Sequence, residues 1–258
     1  MDVIEKHVKS IEWIREELLS MDELANPVMG ISDWDDAVCI DFGGKKLVVS
    51  SDGPYSKRLV LKSALIHAST DVVVKGARPI FALDTLIGSK KEVAGMLGSL
   101  KAQALALKIP LLGGNTLFEE SDPRCSLTVV GELLLTDPIR DSGSKSGDII
   151  ALIGDPIWGE QDERIELART LFECWFEILS KGVKINAAKD VTKGGLVSVV
   201  FEMEGKSGRK FNLNENIPYP VTRNLDNFLV TAKESEMEKI EEICKKKKCS
   251  VEVIGSVE

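Results

Sequence analysis

Acidic and amide side chains recur in this chain where an apolar segment meets a turn, a placement that suits a divalent cation gripping phosphate oxygens. Asp35 and Asp36 stand before the apolar run Ala37 to Ile40, Asp52 closes Val48-Val49-Ser50-Ser51, and Asn115 follows Gly113-Gly114. Hard oxygen donors suit Mg²⁺, which keeps several waters and is held by a few carboxylates plus phosphate oxygens. Each stretch also has a plainer reading. Asp35 and Asp36, the Asp52-Gly53 dipeptide and Gly113-Gly114-Asn115-Thr116 all fit ordinary turns. Adjacent strand residues point to opposite faces, so at most one of Asp35 and Asp36 faces a given site.

Asp71 is more telling, because it lies between Ala68 and Val72-Val73-Val74 in a mostly apolar helical segment. A charge there is costly unless paired or coordinated. The competing reading is a salt bridge to Lys75, four residues on. Asp84 is a second carboxylate in apolar company, within Phe81 to Leu86. In the second half, Asp190-Val191-Thr192-Lys193-Gly194-Gly195 precedes a helix. Glycines at a helix start let backbone N–H groups approach phosphate oxygens; a plain helix start capped by Thr192 fits the same letters.

The elements that must position these residues alternate along the chain. Helical spacing of apolar residues covers Val3 to Leu19. A hairpin is predicted from Val38–Ile40 and Lys46–Ser51 around Gly43-Gly44, and a long helix over Leu59–Lys75. Ile80–Leu86 reads as a strand, Glu92–Leu107 as a helix, Ile109–Leu112 as a short buried strand and Cys125–Leu135 as a further strand. Pro138–Gly147 reads as a linker. Beyond it come a strand over Asp148–Ile153, helices over Arg164–Leu179 and Gly195–Glu204, a strand over Asn227–Ala232, a helix over Glu234–Lys246 and a closing strand over Ser250–Val257. Mixed strands and helices in both halves predict two α+β domains.

Bulk properties narrow the function classes. At 258 residues, with 43% hydrophobic and 29% charged residues, the chain can bury a real core. A net charge of −8 disfavours a general nucleic-acid binder. No apolar run approaches the roughly 20 residues of a membrane span, and the charged start does not read as a signal peptide. A cytoplasmic protein is expected. Five scattered cysteines, Cys39, Cys125, Cys174, Cys244 and Cys249, read as reduced, packed thiols. With His7 and His67 the only histidines, no zinc site is expected. The run Lys245–Lys248 is expected to face solvent at a helix end.

Taken in order, these segments resemble the PurM-like superfamily, which contains AIR synthetase, thiamine-monophosphate kinase, selenophosphate synthetase and a hydrogenase-maturation dehydratase. Asp35-Asp36-Ala37-Val38 is similar to its Asp-Asp-Ala-Ala-Val, and Thr70-Asp71 with Gly76-Ala77-Arg78-Pro79 to its Asn-Asp and Gly-Ala/Gly-x-Pro helix. Gly113-Gly114-Asn115-Thr116 is similar to Gly-Gly-Asp/Glu-Thr, and Asp190 to Leu196 to Asp-x-Thr/Ser-x-Gly-Gly-Leu. Ser146-Gly147-Asp148 looks like its domain junction, and Ile254-Gly255-Ser256-Val257 like its closing strand.

The resemblance implies an α/β fold of two domains, residues 1–137 forming a homodimer through its strands and residues 138–258 forming a shortened partner domain. It implies ATP with Mg²⁺ held by Asp35, Asp36, Asp52 and Asp71. Asp52, Asp71 and Lys57 form the expected catalytic set, with Lys57 neutralising phosphate charge. Gly113, Gly114, Asn115, Thr116, Asp190, Thr192, Gly194 and Gly195 are expected to contact nucleotide or substrate. Phosphoryl transfer rests on positioning and charge neutralisation, so aspartates with Mg²⁺ suffice without a nucleophilic side chain. The expected activity is ATP-dependent phosphorylation or activation of a small molecule. Departures from the pattern at Thr70 and Asn115, and the short stretch Pro218–Asn227, support the competing reading: a nucleotide-binding regulatory or assembly homodimer with reduced turnover.

Overall fold

Gly43 and Gly44, at φ 61° and 85°, reverse the chain between Val38–Phe42 (β1) and Lys45–Ser56 (β2), which pair antiparallel as the turn chemistry predicts. They open the first of two five-stranded sheets in the computed structural model, which describes residues 12–192, 194–219 and 224–258. This sheet runs β1-β2-β5-β3-β4, with Ala77–Gly88 (β3), Leu111–Phe118 (β4) and Arg124–Leu133 (β5). Only the β3–β4 pair is parallel. The expected buried strand ending at Gly113-Gly114 is instead an exposed edge strand that runs through both glycines. Gly114 has a tertiary reason: a Cβ there would stand 1.6 Å from the Asp84 carbonyl oxygen on β3.

The second sheet runs β7-β9-β6-β10-β8, all antiparallel, from Ile149–Ile153 (β6), Ala187–Asp190 (β7), Phe211–Leu213 (β8), Phe228–Ala232 (β9) and Val251–Val257 (β10). Its strands β6 and β9 are almost wholly apolar because both faces are covered. Ala151, Ile153, Phe228 and Val230 face one core, while Ile150, Leu152 and Leu229 face the other. Strands β7 and β8, four and three residues long, escape the sequence reading.

The described helices are Glu12–Leu18 (α1), Met21–Ala25 (α2), Lys57–Val60 (α3), Ala64–Val74 (α4), Lys90–Leu107 (α5), Gln161–Ser180 (α6), Gly195–Ser207 (α7) and Glu234–Lys247 (α8). Helix α1 falls within the helix predicted over Val3–Leu19, whose first residues lie outside the described ones. The long helix predicted over Leu59–Lys75 is broken at residues 61–63. Gln103 of α5 bridges the break: its Oε1 accepts the Leu65 amide at 3.0 Å and its Nε2 donates to the Val60 carbonyl at 2.9 Å. The two helix ends therefore keep their polar groups paired inside the core. Among the described residues, no helix is long and apolar enough to cross a membrane.

Helix α4 is the hub of the molecule, with every residue buried. Leu65, Ala68 and Val72 pack on the first sheet, while Ile66, Val73 and Val74 join the core around α6 and the second sheet. Its β-branched residues give it poor intrinsic propensity, so burial on two sides must sustain it. Trp175 of α6 locks the junction by donating its indole N–H to the Val73 carbonyl at 2.7 Å.

Candidate functional site

One stripe of α4 is polar although the helix is buried. His67, Asp71 and Lys75 recur every four residues and so share a face, with Thr70 beside them. Each finds a partner from another element. His67 Nδ1 lies 2.6 Å from Asp226 Oδ1, between α7 and β9, and its Nε2 lies 3.5 Å from Asp52 of β2. The Thr70 hydroxyl lies 2.6 Å from Asp190 Oδ2, at the end of β7. Asp71 Oδ2 accepts from the Ser50 hydroxyl at 2.7 Å. Lys75 pairs with Asp35 at 2.9 Å and with Asp141. The expected alternative partner of Asp71 is thus engaged elsewhere, and the helical Asp71–Lys75 salt bridge does not form.

Asp36, Asp71 and Asp190 each bring a carboxylate oxygen to one place, all within 4.8 Å of one another. They come from the segment before β1, from α4 and from β7, so the group exists only because the two sheets face each other across α4. Asp71 is pushed well above the usual carboxylate range by burial, and then by the negative charges of Asp190 and Asp52. His67 is opposed by its own burial, yet Asp226, Asp52 and Asp71 raise it to about 10, so it is cationic at neutral pH. Among the described residues, Asp190 Oδ1 is buried and has no hydrogen-bond partner. Lys189 Nζ pairs with Asp36. Among the described residues, the five carboxylates Asp36, Asp52, Asp71, Asp190 and Asp226 gather here, with His67 and Lys189 as their cationic contacts. An unpartnered buried oxygen and clustered hard oxygen donors fit a divalent cation such as Mg²⁺.

Asp35, expected beside Asp36 as a metal ligand, lies outside this group. Its Oδ1 accepts from Lys75 and from the Asp141 amide, both at 2.9 Å, and its Oδ2 accepts from Arg140 Nε at 2.7 Å. Those partners hold it below the usual carboxylate range against the cost of burial. Asp35 belongs to a neighbouring network in which Lys75, Arg140, Lys189 and Lys206 meet Asp33, Asp35, Asp36, Asp141 and Glu202. The predicted linker supplies two of its members, Arg140 and Asp141, and Asp141 is fully buried in a 3-10 turn.

The remaining expected residues spread around the carboxylates. Asp52 accepts from the Tyr55 hydroxyl at 2.7 Å and from its own neighbour's amide, Gly53, at 2.6 Å. Lys57 opens α3 on the surface and faces Glu92 at 3.9 Å. Gly113, Gly114, Asn115 and Thr116 lie on β4, three strand steps from β2, which amounts to ~14 Å across the sheet. Thr192 accepts the Gly195 amide at its carbonyl at 3.1 Å, and Gly194 takes the left-handed conformation (φ 99°) at the start of α7. Sequence reasoning missed His67, Lys189, Asp226 and Asp141. A signal existed for His67, which stands one helical turn before Asp71; the others are marked only by their contacts.

These contacts define a two-unit α/β protein with a cluster of carboxylates at the junction. Sequence comparison gives the class a name: the AIR synthase related N-terminal domain family matches residues 34–133 and the corresponding C-terminal domain family residues 133–258. The chain belongs to the AIR synthase related family. An uncharacterized protein of Methanocaldococcus jannaschii is 37% identical over 257 residues, covering 98% of this chain and 85% of that one. The phosphoribosylformylglycinamidine synthase subunit PurL of Saccharolobus islandicus is 26% identical over 268 residues, covering 85% of this chain and 36% of that protein. In fold the chain is similar to Thermotoga maritima PurL solved with ATP, at 19% identity and a TM-score of 0.74, covering 90% of this chain and 43% of that one. The chain therefore spans well under half of the PurL proteins it matches.

Proposed function

We propose that this protein is a Mg²⁺- and ATP-dependent enzyme that phosphorylates or activates a small molecule in the cleft between its two sheets. One observation carries the reading: Asp36, Asp71 and Asp190 converge from both units, and among the described residues Asp190 keeps a buried oxygen without a partner. These three would hold the cation, which supplies neutralisation of phosphate charge. Ser50 fixes the rotamer of Asp71, and Thr70, a departure from the family pattern, does the same for Asp190. His67 adds positive charge beside the acidic group. In this reading Asp52 and Lys57 reach the phosphates from the outer side, and Thr192 with Gly194-Gly195 offers backbone groups at the start of α7. Residues 1–137 and 138–258 act as the two units, the first carrying most of the acidic site. The chain works as a homodimer through its first sheet, whose outer strands expose Phe42 and Phe118; light scattering is expected to give twice the 28.3 kDa chain mass.

The decisive experiment measures ATP binding by calorimetry with and without Mg²⁺, and ADP release on adding a metabolite extract. Metal-dependent binding with turnover is expected. Affinity indifferent to Mg²⁺ would defeat the proposal. A second reading, nucleotide binding without turnover, is favoured by the Lys189–Asp36 pair, which already satisfies one arm of the acidic group. It prevails if Mg-ATP binds and no substrate mixture releases ADP.

A further inference from the structure

Three cysteines that the sequence scatters meet in the core beside the second sheet. Cys174 comes from α6, Cys244 from α8, and Cys249 from the residues just beyond α8. Lys248 takes the left-handed conformation (φ 57°) that ends α8, and the Cys249 amide then donates to the Cys244 carbonyl at 3.0 Å. That closure folds Cys249 back over the helix end. The three sulfur atoms lie within 4.8 Å of one another, with 3.6 Å between Cys174 and Cys244. All three thiols are free and buried among apolar residues such as Trp175 and Ile240. Packing as separate small hydrophobes, the sequence expectation, does not require three sulfurs from three segments to converge on one point.

We propose that Cys174, Cys244 and Cys249 form a site for one monovalent thiophilic d¹⁰ ion, Cu(I) in chemical class, held by three thiolates. Soft sulfur donors select such ions. Structural zinc is almost always four-coordinate, and among the described residues this group contains no fourth Cys, His, Asp or Glu. Binding replaces three S–H bonds with three metal–sulfur bonds and releases three protons, leaving a net charge of two minus at the centre. Lys245, Lys246 and Lys247 in the last turn of α8 place positive charge nearby. Cys249, 7% exposed, is the point of entry.

The test titrates the reduced full-length chain with Cu(I) against bathocuproine disulfonate and follows thiolate-to-copper ultraviolet absorption. One ion per chain is expected. Cys174→Ser and Cys249→Ser, each checked for folding by circular dichroism, should weaken binding roughly 100-fold or more, while Cys39→Ala leaves it unchanged. X-ray absorption of the wild-type complex should show a three-sulfur shell, a readout that stands even if a core variant fails to fold. Absence of stoichiometric uptake, uptake that survives loss of Cys174, or displacement of Cu(I) by Zn²⁺ would each overturn the assignment. So would peroxide-driven loss of two hydrogens as a Cys174–Cys244 disulfide in a chain that takes up no copper.

Discussion

Asp71 shows how burial and neighbouring charge act on a carboxylate. In water it would ionise freely, but here its charge faces Asp190 and Asp52, relieved by the Ser50 hydroxyl and the charge on His67. A group selected for stability alone would not be kept in that state. Asp71→Asn removes the repulsion at nearly constant shape. The variant is expected to melt at the same temperature as the wild type or higher, while Mg-ATP affinity falls by about tenfold or more, about 1.4 kcal/mol. A drop in melting temperature with unchanged affinity would make Asp71 a structural residue. Asp36, Asp71 and Asp190 were legible as letters because each stands in an ordered motif. Asp35 stands in the same motif, and only the positions of Lys75 and Arg140 separate it from its neighbour.

At the scale of elements, the break between α3 and α4 decides how α4 sits. Helices α3 and α4 read as one helix in the sequence because residues 59–75 keep an apolar pattern throughout. The break at 61–63 lets α4 meet both sheets, and Gln103 makes it tolerable by pairing with one backbone group on each side. Gln103→Leu fills the same volume without those bonds. It is expected to destabilise the fold by about 1–3 kcal/mol for each group left unpaired, seen as a lower urea midpoint. Equal midpoints would show that water replaces the amide. Strand β4 makes the complementary point. Its composition reads as a buried strand closed by glycines, yet Leu112 is 68% exposed, because β4 lies at the sheet edge and edge position is not written in local sequence.

For the whole molecule, the junction between the units is held by charge as well as by apolar packing. His67 on α4 reaches Asp226 in the second unit, and its ordinary value of 6.5 rises to about 10 on folding. A group raised by folding stabilises fully below its unfolded value, and that contribution is lost as pH climbs through the folded value. The melting-temperature gap between wild type and His67→Gln should therefore be widest below about pH 6.5 and close above about pH 10, with a limiting size of about 2 kcal/mol or more. A gap that grows with pH would show that His67 is neutral in the folded protein. The buried Lys75 acts alike, its ammonium kept charged by Asp141 and Asp35 although burial opposes it.

The sequence alone determined the order and type of most elements, since apolar periodicity and turn chemistry act over a few residues. It also determined the family, because ordered motifs survive as letters. Only the tertiary structure decided which carboxylates come together, that His67 and Lys75 serve the junction, and that three distant cysteines meet. Those outcomes rest on contacts between residues 40 to 160 positions apart. Burial and neighbouring charge, which set the ionisation of each group, exist only once both sheets close on α4.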